Sequence, residues 1–408
     1  MSRDFVKKII VGLDIGSSKV AAIVAESLPE EDQFEVIGYG CVPSNGIRRG
    51  VVVNIDHTVE SIQNALHEAE LFASCNIREV FTGIGGAHIS SFNSSGVAAV
   101  ADRKEVCEAD IERVRTTAQT VHTPAEHDIL HVITQHYTLD NQEGIIQPKG
   151  MAGTRLEVQV HIVTGSHSAV QNIIKCVRRC GLEVSELILQ PLADSQVCLT
   201  PEEKELGVCL IDIGSGTTGM AIYDGGTVRY TSIMEMGGQQ LTSDIASMLR
   251  VPTNVAEDIK LQYGAAFCEL VDGEETFEIP GLSERGPRIM KRGELADIIQ
   301  KGVEEILIEV NNHLIQSGYR DKIKSIVITG GSALLPGIVE LAEACFRTPT
   351  RIGRPIYHGA LSDLVTDPKF STAMGLVREA RLQLNIQDSG RVKQGIFGYL
   401  KNLFQSLF

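Results

Sequence analysis

The chain has 408 residues, 43% of them hydrophobic and 22% charged, which is enough for roughly two or three domains with cores of their own. A net charge of −15 argues against general nucleic-acid binding, because no basic domain offsets phosphate repulsion. Nine cysteines without regular spacing, and no CxxC, read as free thiols of a reducing cytoplasm rather than as a disulfide framework.

The N-terminal run "MSRDFVKKIIVGLDIGSS" places basic residues before apolar ones, but "IIVGL" is too short for a signal peptide and Asp14 interrupts it. No stretch approaches the roughly 20 apolar residues of a spanning helix, so a cytoplasmic protein is expected. "IIVGLDIGSSKVAAIVAE" (9–26) and "VCLIDIGSGTTGMAIYDGG" (208–226) share one plan. In each, an apolar strand runs into Asp-Ile-Gly-Ser, a polar turn follows, and a second β-prone run returns. The second copy contains Gly214-x-Gly216-x-x-Gly219, the spacing of a dinucleotide fingerprint, yet that fingerprint requires a helix to open inside the motif. "TGMAIYDGG" alternates like a strand instead, which puts the glycines at a hairpin tip. Such tips expose backbone N–H groups that can wrap an anion. Two of them, one from each half of a duplicated chain, can close on the same phosphates. Asp14 and Asp212 enter the two turns and would repel a polyphosphate unless a cation stood between, which suits Mg²⁺ held through its waters. Lys19 supplies a point charge, and Thr217 and Thr218 supply hydroxyls.

Between these copies, "DILHVITQHYTL" carries His131 and His136 and follows His122 and His127. It reads as a strand, along which four residues span about 13 Å, too far for one metal to bridge. Later, "KIKSIVITGGSALLPGIVELAEACF" predicts a strand over 325–329, a Gly330-Gly331-Ser332 turn that lets backbone approach a flat ligand, and a helix from near Pro336. Together the three glycine elements describe a pocket for a nucleoside polyphosphate.

The chain closes on "GIFGYLKNLFQSLF", where Ile396, Phe397, Leu400, Leu403, Phe404, Leu407 and Phe408 fall on one broad helical face with no acid after Asp388. Thirteen residues of helix measure about 20 Å, short of a bilayer's roughly 30 Å, so the segment is expected to lie in the interface of an anionic membrane. Partial burial of these side chains leaves about 5–7 kcal/mol net, a weak and reversible anchor that several copies on one filament would make firm.

In this order the segments "GLDIGSSKVAAIVAE", "GIRRGVVVNIDHTVESI", "TGIGGAHI", "LQPLADS", "LIDIGSGTTGMAIYDGG", "MGGQQLTSDIA", "AEDIKLQYG", "ITGGSALLPGI" and "FSTAMGLV" resemble the actin/Hsp70/sugar-kinase superfamily. Within it they resemble the FtsA family of bacterial cell-division proteins. The resemblance implies an α/β class: a duplicated actin-like, ribonuclease-H-like ATPase fold with an inserted α+β subdomain and a C-terminal amphipathic helix. It implies ATP and Mg²⁺ as ligands, with Asp14, Gln190 and Asp212 as the hydrolytic set and Gln190 orienting the attacking water. It places Gly16, Ser17, Ser18 and Lys19 on the first phosphate loop and Gly214, Ser215, Gly216, Thr217 and Thr218 on the second. Gly237 and Gly238 approach the ribose and phosphates, Glu257 and Lys260 flank the adenine, and Gly330, Gly331, Ser332 and Leu335 belong to the adenosine motif. From the residues alone, Glu257 and Lys260 are only an i,i+3 surface pair.

The implied subdomains are 1–83 with 166–195 and 372–384 (1A), 84–165 (1C, the SHS2-like insertion), 196–226 with 302–371 (2A) and 227–301 (2B). A linker over 385–391 and the membrane helix over 392–408 complete them. Subdomain 2B is expected to hold the acidic, apolar C-terminal peptide of the tubulin-like FtsZ, and "ERGPRIMKR", with Arg285, Arg288, Lys291 and Arg292, is expected to form part of the docking surface. The resemblance further implies self-assembly into filaments, recruitment of later division proteins, and a place on the cytoplasmic side of the inner membrane at the septum. A small-molecule kinase of the same superfamily would need a second-substrate pocket with a catalytic base, for which no candidate is apparent. A pilus-assembly scaffold would share the nucleotide loops and the insertion but is not expected to carry such a tail.

Overall fold

A computed structural model describes residues 8–30, 32–101, 105–120, 126–280 and 286–388. The first lobe opens with β1 (Ile9–Ile15), β2 (Lys19–Ser27) and β3 (Phe34–Pro43), an antiparallel meander rich in β-branched residues. A small hairpin, β4 (Ile47–Arg48) and β5 (Val51–Val52), leads to helix α1 (Ile55–Ala73), whose N-terminus is capped by the Asn54 side chain. Strand β6 (Glu79–Ile84) then adds in parallel beside β1.

The insertion follows as β7 (Ile89–Ala99), α2 (Glu108–Gln119), β8 (His127–Leu139), β9 (Gln142–Ile145) and β10 (Arg155–Ser166). Its strands form a separate sheet in the order β7-β10-β8-β9, covered by α2. The chain returns through α3 (His167–Arg179) and β11 (Glu183–Leu189), which completes the first sheet in the order β11-β6-β1-β2-β3.

Helix α4 (Gln190–Cys198) crosses to the second lobe, followed by the short α5 (Pro201–Leu206), which has a Thr200/Glu203 capping box. There β12 (Val208–Ile213), β13 (Thr218–Asp224) and β14 (Thr227–Met234) repeat the opening meander. Helices α6 (Gly238–Leu249) and α7 (Thr253–Tyr263), the hairpin β15 (Thr276–Ile279) and β16 (Arg288–Lys291), and the long α8 (Arg292–Gln316) come next. Strand β17 (Ser325–Thr329), α9 (Ile338–Phe346) and β18 (Thr350–Ile352) complete a sheet ordered β14-β13-β12-β17-β18. Past the short α10 (Ser362–Val365), α11 (Ser371–Asp388) runs back across the first lobe and packs on α4.

Both sheets therefore carry the same unit: an antiparallel meander with a parallel strand beside its first member. The central strands β1 and β12 are buried along nearly their whole length, as strands covered on both faces must be.

Several boundaries differ from the sequence reading. Strand β14 pairs along its length with β13, so 227–234 belongs to the second sheet and not to 2B. Helix α8 is continuous from 292 to 316 and α4 from 190 to 198, so divisions at 301/302 and at 195/196 would cut through intact hydrogen-bonded turns. Helix α11 continues to Asp388, four residues into the segment assigned to the linker. The helix expected near Pro336 begins at Ile338, because Gly337 adopts a left-handed conformation (φ 83°) just before it. The membrane segment 392–408 and Arg285 lie outside the described residues.

The insertion touches both lobes, by different means. Ile89, Leu130 and Val163 join the apolar core of the first lobe. Toward the second lobe the contact is polar: Ser91 Oγ donates to Thr231 O (2.7 Å), Asn93 Nδ2 to Arg229 O (3.1 Å) and Gln135 Nε2 to Val228 O (2.8 Å). His161 bridges Asn93 Oδ1 and Thr231 Oγ1. One face of the inserted sheet thus caps carbonyls on the outer edge of β14, a strand edge that would otherwise be open.

Candidate nucleotide-binding site

The two tight turns are built alike. In the first, the Gly16 N–H donates to Lys19 O at 2.9 Å; in the second, the Gly214 N–H donates to Thr217 O at 3.0 Å. The equivalence aligns Asp14 with Asp212 and Lys19 with Thr217, so the repeated motif is a structural repeat. The strands after both turns pair antiparallel with those before them, so no helix opens inside Gly214-x-Gly216-x-x-Gly219.

Both turns face one cavity of about 490 Å³ between the lobes. Its walls include Asp14, Gly16 to Lys19, Gln190, Asp212, Gly214 to Thr217, Gly238, Glu257, Lys260, Gly330 to Ser332 and Leu335. The loops approach so closely that a Cβ on Gly216 would lie 2.6 Å from Ser17 Oγ. Ser17 Oγ already accepts the Gly50 N–H at 3.1 Å, which leaves its hydrogen free to donate into the cavity. Beside it Arg49 reaches Glu235 of the second lobe at 3.3 Å.

Asp14 is the hub of the first lobe's wall. Its Oδ2 takes Lys19 Nζ at 2.6 Å and its Oδ1 takes Gln190 Nε2 at 3.1 Å. Burial works against the Lys19 charge, but the neighbouring carboxylate outweighs it and holds the amine above its ordinary value. Asp212, across the cavity, is pushed up to about 7 by burial and by the Asp14 charge. Asp194 is wholly buried nearby, with Thr372 Oγ1 donating to one oxygen at 2.8 Å and no hydrogen-bond partner on the other among the described residues. Burial and the Asp212 charge raise it well above the carboxylate range. The site therefore concentrates acid that a bound cation would relieve.

On the second lobe's wall, Lys260 is buried and donates to Thr242 Oγ1 (2.8 Å), Glu257 Oε2 (2.8 Å) and Gly238 O (3.2 Å). It is not the surface pair its spacing suggests. The Gly238 N–H bonds Gly214 O at 2.9 Å and Ser332 Oγ reaches the same carbonyl at 3.3 Å, tying the second turn to α6 and to the Gly330-Gly331-Ser332 turn. Gly330 has φ 88°, and a Cβ there would meet Asp212 Oδ1 at 2.2 Å, so only glycine fits.

Two of the expected residues stand behind the wall. Thr218 is fully buried and its hydroxyl donates to Met236 O at 2.8 Å. Gly237 packs against the carbonyls of Gly214 and Ser215. Pro368, Lys369 and Thr372 also line the cavity and were not singled out from sequence, although "FSTAMGLV" begins one residue after Lys369.

The described part of the basic run, residues 286–292, is not a free charged loop. Arg288 to Lys291 form β16, where Lys291 pairs with Glu274 (2.8 Å) and Arg292 with Glu275 (2.7 Å). Arg288 donates to Leu249 O. Next to them runs an open groove lined by Met248, Leu249, Ile279, Ile289 and Met290, in which Ile289 is 78% exposed. Sequence reading missed this apolar component because its residues come from three separate elements.

The family model for "Cell division protein FtsA" matches residues 209–375, and that for the "SHS2 domain inserted in FTSA" matches 86–164. The chain is 49% identical over 371 residues to the cell division protein FtsA of Pseudomonas aeruginosa, covering 91% of this chain and 88% of that one. The chain belongs to the FtsA family of cell division proteins. Its identity to the Neisseria meningitidis FtsA is 43%, with 97% and 98% of the two chains covered, and to the Escherichia coli K12 FtsA 38%, with 97% of each covered.

Among solved structures, a chain of the PilM-PilN type IV pilus biogenesis complex superposes with a TM-score of 0.66 at 17% identity, covering 91% of this chain and 98% of that one. MreB5 of Spiroplasma citri bound to ADP superposes with 0.53 at 15% identity, covering 95% and 99%. These likenesses establish the actin-like fold of the FtsA-family chain. The SHS2 match coincides with the sheet β7-β10-β8-β9 and its helix, the insertion expected over 84–165.

Proposed function

We propose that this actin-like cell division protein binds ATP between its lobes, assembles into filaments, and tethers FtsZ filaments to the cytoplasmic face of the inner membrane at the septum. One observation carries the reading: two equivalent glycine turns, one per lobe, face a single cavity. Such turns present N–H groups to phosphate oxygens from both sides. Lys19 adds a positive charge, and Ser17, Ser215 and Thr217 add hydroxyls. Glu257 and Lys260 form the wall for the nucleoside, and Gly330 to Ser332 let the backbone pass over it.

Asp14 and Asp212 are suited to hold Mg²⁺ through its waters, since the donor set is hard oxygen and the raised Asp212 gains from a nearby cation. When bound, that ion neutralises phosphate charge. Gln190, fixed to Asp14 through its amide nitrogen, keeps its amide oxygen as an acceptor for an attacking water, which supports slow hydrolysis. For the FtsZ peptide, the groove beside β16 offers apolar seats at Ile289 and Met248. Arg288 lines it for an acidic group of the partner, with Glu294 and Asp297 on the same wall and Lys291 next in β16, held by Glu274. The insertion is the surface proposed to receive later division proteins, and residues 396–408 the segment that enters the anionic membrane.

Co-sedimentation of the full chain with anionic liposomes and the FtsZ C-terminal peptide, with and without ATP, tests this reading. Wild type should pellet with both, more fully with ATP. The double variant Phe404→Glu/Phe408→Glu should stay in the supernatant yet still bind the peptide. A variant that still pellets would refute the membrane anchor.

A further inference from the structure

The β4–β5 hairpin makes only two residue pairs, Ile47 with Val52 and Arg48 with Val51, yet its two-residue tip lies against both lobes. Arg49 (φ 49°) and Gly50 (φ 75°) are both left-handed, as the tightest hairpin turn requires. Glycine and asparagine enter that region readily and a long side chain does not, so the turn itself does not call for an arginine. The contacts of the tip give the side chain a different use.

On the first lobe, the Gly50 N–H donates to Ser17 Oγ at 3.1 Å, which limits the directions in which that hydroxyl can donate. On the second lobe, the Arg49 backbone stands so near the other glycine turn that a Cβ on Gly216 would lie 3.1 Å from Arg49 Cα. The Arg49 side chain then crosses to Glu235, Nη1 to Oε2, at 3.3 Å. Glu235 sits close to the second turn along the chain: Gly237 packs against the carbonyls of Gly214 and Ser215, and the Gly238 N–H bonds Gly214 O at 2.9 Å. Gly85 and Gly86 also abut the tip, since a Cβ on Gly50 would lie 2.9 Å from Gly85 O and 3.0 Å from Gly86 Cα. The tip is thus wedged between that seat and the two phosphate turns, and any shift of it disturbs Ser17, Glu235 or both.

Ser17 and Gly216 both line the nucleotide cavity. We propose that Arg49 and Gly50 are positioning residues for the nucleotide: the hairpin is a strap over the two phosphate turns, closed by the Arg49–Glu235 pair, and its opening sets the rate at which nucleotide leaves. The inference rests on the nucleotide site proposed above. The pair suits a strap that has to open, because its side chains are 57% and 44% exposed and such a pair shifts an equilibrium by about fivefold at most.

Release of a fluorescent ATP analogue from the full chain, followed by stopped flow, tests the strap with three variants. Arg49→Asn keeps a residue suited to the turn, so the hairpin persists without its charge. Release should quicken about two- to fivefold while association stays within about twofold of wild type. Glu235→Arg sets two cations against each other and should also quicken release, whereas plain attraction of the triphosphate to an added cation would slow it. The exchange Arg49→Glu/Glu235→Arg restores opposite charges across the gap and should return release to within about twofold of wild type. Wild-type release in Arg49→Asn, slower release in Glu235→Arg, or an exchange variant no slower than Glu235→Arg would each overturn the strap and leave the nucleotide site standing. Failure of wild type to bind the analogue at all would overturn both.

Discussion

Gln190 donates its amide nitrogen to Asp14 at 3.1 Å, joining the first residue of α4 to the end of β1 across the floor of the cleft. The geometry depends on Gly85, where a Cβ would lie 2.2 Å from Gln190 Oε1. Gly85→Ala must therefore swing the amide away from Asp14. On the role proposed for Gln190, orienting water rather than holding phosphate, ATP turnover should fall about tenfold while ATP affinity changes less than about twofold. Single-turnover hydrolysis and equilibrium binding on the same variant measure the two effects separately.

Glu186 gives the fold a pH dependence. Its folded value of about 7, raised by burial, lies above the ordinary carboxylate value of 4.5 that it regains on unfolding. Between those values the folded chain holds a proton that the unfolded chain has lost. Stability from this group is therefore greatest below about pH 4.5 and declines as pH rises to about 7. The decline amounts to roughly 3 kcal/mol for a shift of that size. Glu186→Gln keeps the hydrogen-bonding shape without the charge, so its urea-unfolding free energy should fall less between pH 5 and pH 8 than that of wild type. His131, Lys204 and Glu379 line one cavity with Glu186 and are retained in the variant, which isolates the Glu186 contribution.

The contact between the insertion and β14 is made of polar side chains, whereas its contact with the first lobe is largely apolar. Removing Asn93 and Gln135 together deletes two of the carbonyl caps at a cost of about 1–3 kcal/mol. The double variant Asn93→Ala/Gln135→Ala should raise deuterium uptake in β7 and β14 well above wild type and leave the core of the first lobe unchanged. If uptake rises equally throughout, the contact is part of one rigid body and not a separable clasp.

The duplicated meander was legible in the sequence because strand alternation and the Asp-Ile-Gly-Ser turns are local signals. Thr218 shows where local reading fails. It adjoins Thr217 in sequence, but successive strand residues point to opposite faces, so only Thr217 can reach the cleft. Lys260 was obscured differently: an i,i+3 acid–base pair reads as surface, and only the packing of α7 against α6 buries it. Likewise the charges of Lys291 and Arg292 are met by Glu274 and Glu275, across a hairpin whose pairing no local pattern announced. The edge of the second sheet was misplaced because the boundary was set at the Asp224-Gly225-Gly226 turn, and a turn signal alone does not say which body the strand after it joins.

The central claim is that both lobes hold one nucleotide, and titration calorimetry with Mg·ATP on wild type, Lys19→Ala and Lys260→Met tests it most directly. Wild type should show a single site per chain, and loss of a contact from either lobe should weaken that site about tenfold or more. Two independent sites, or wild-type affinity in either variant, would contradict it.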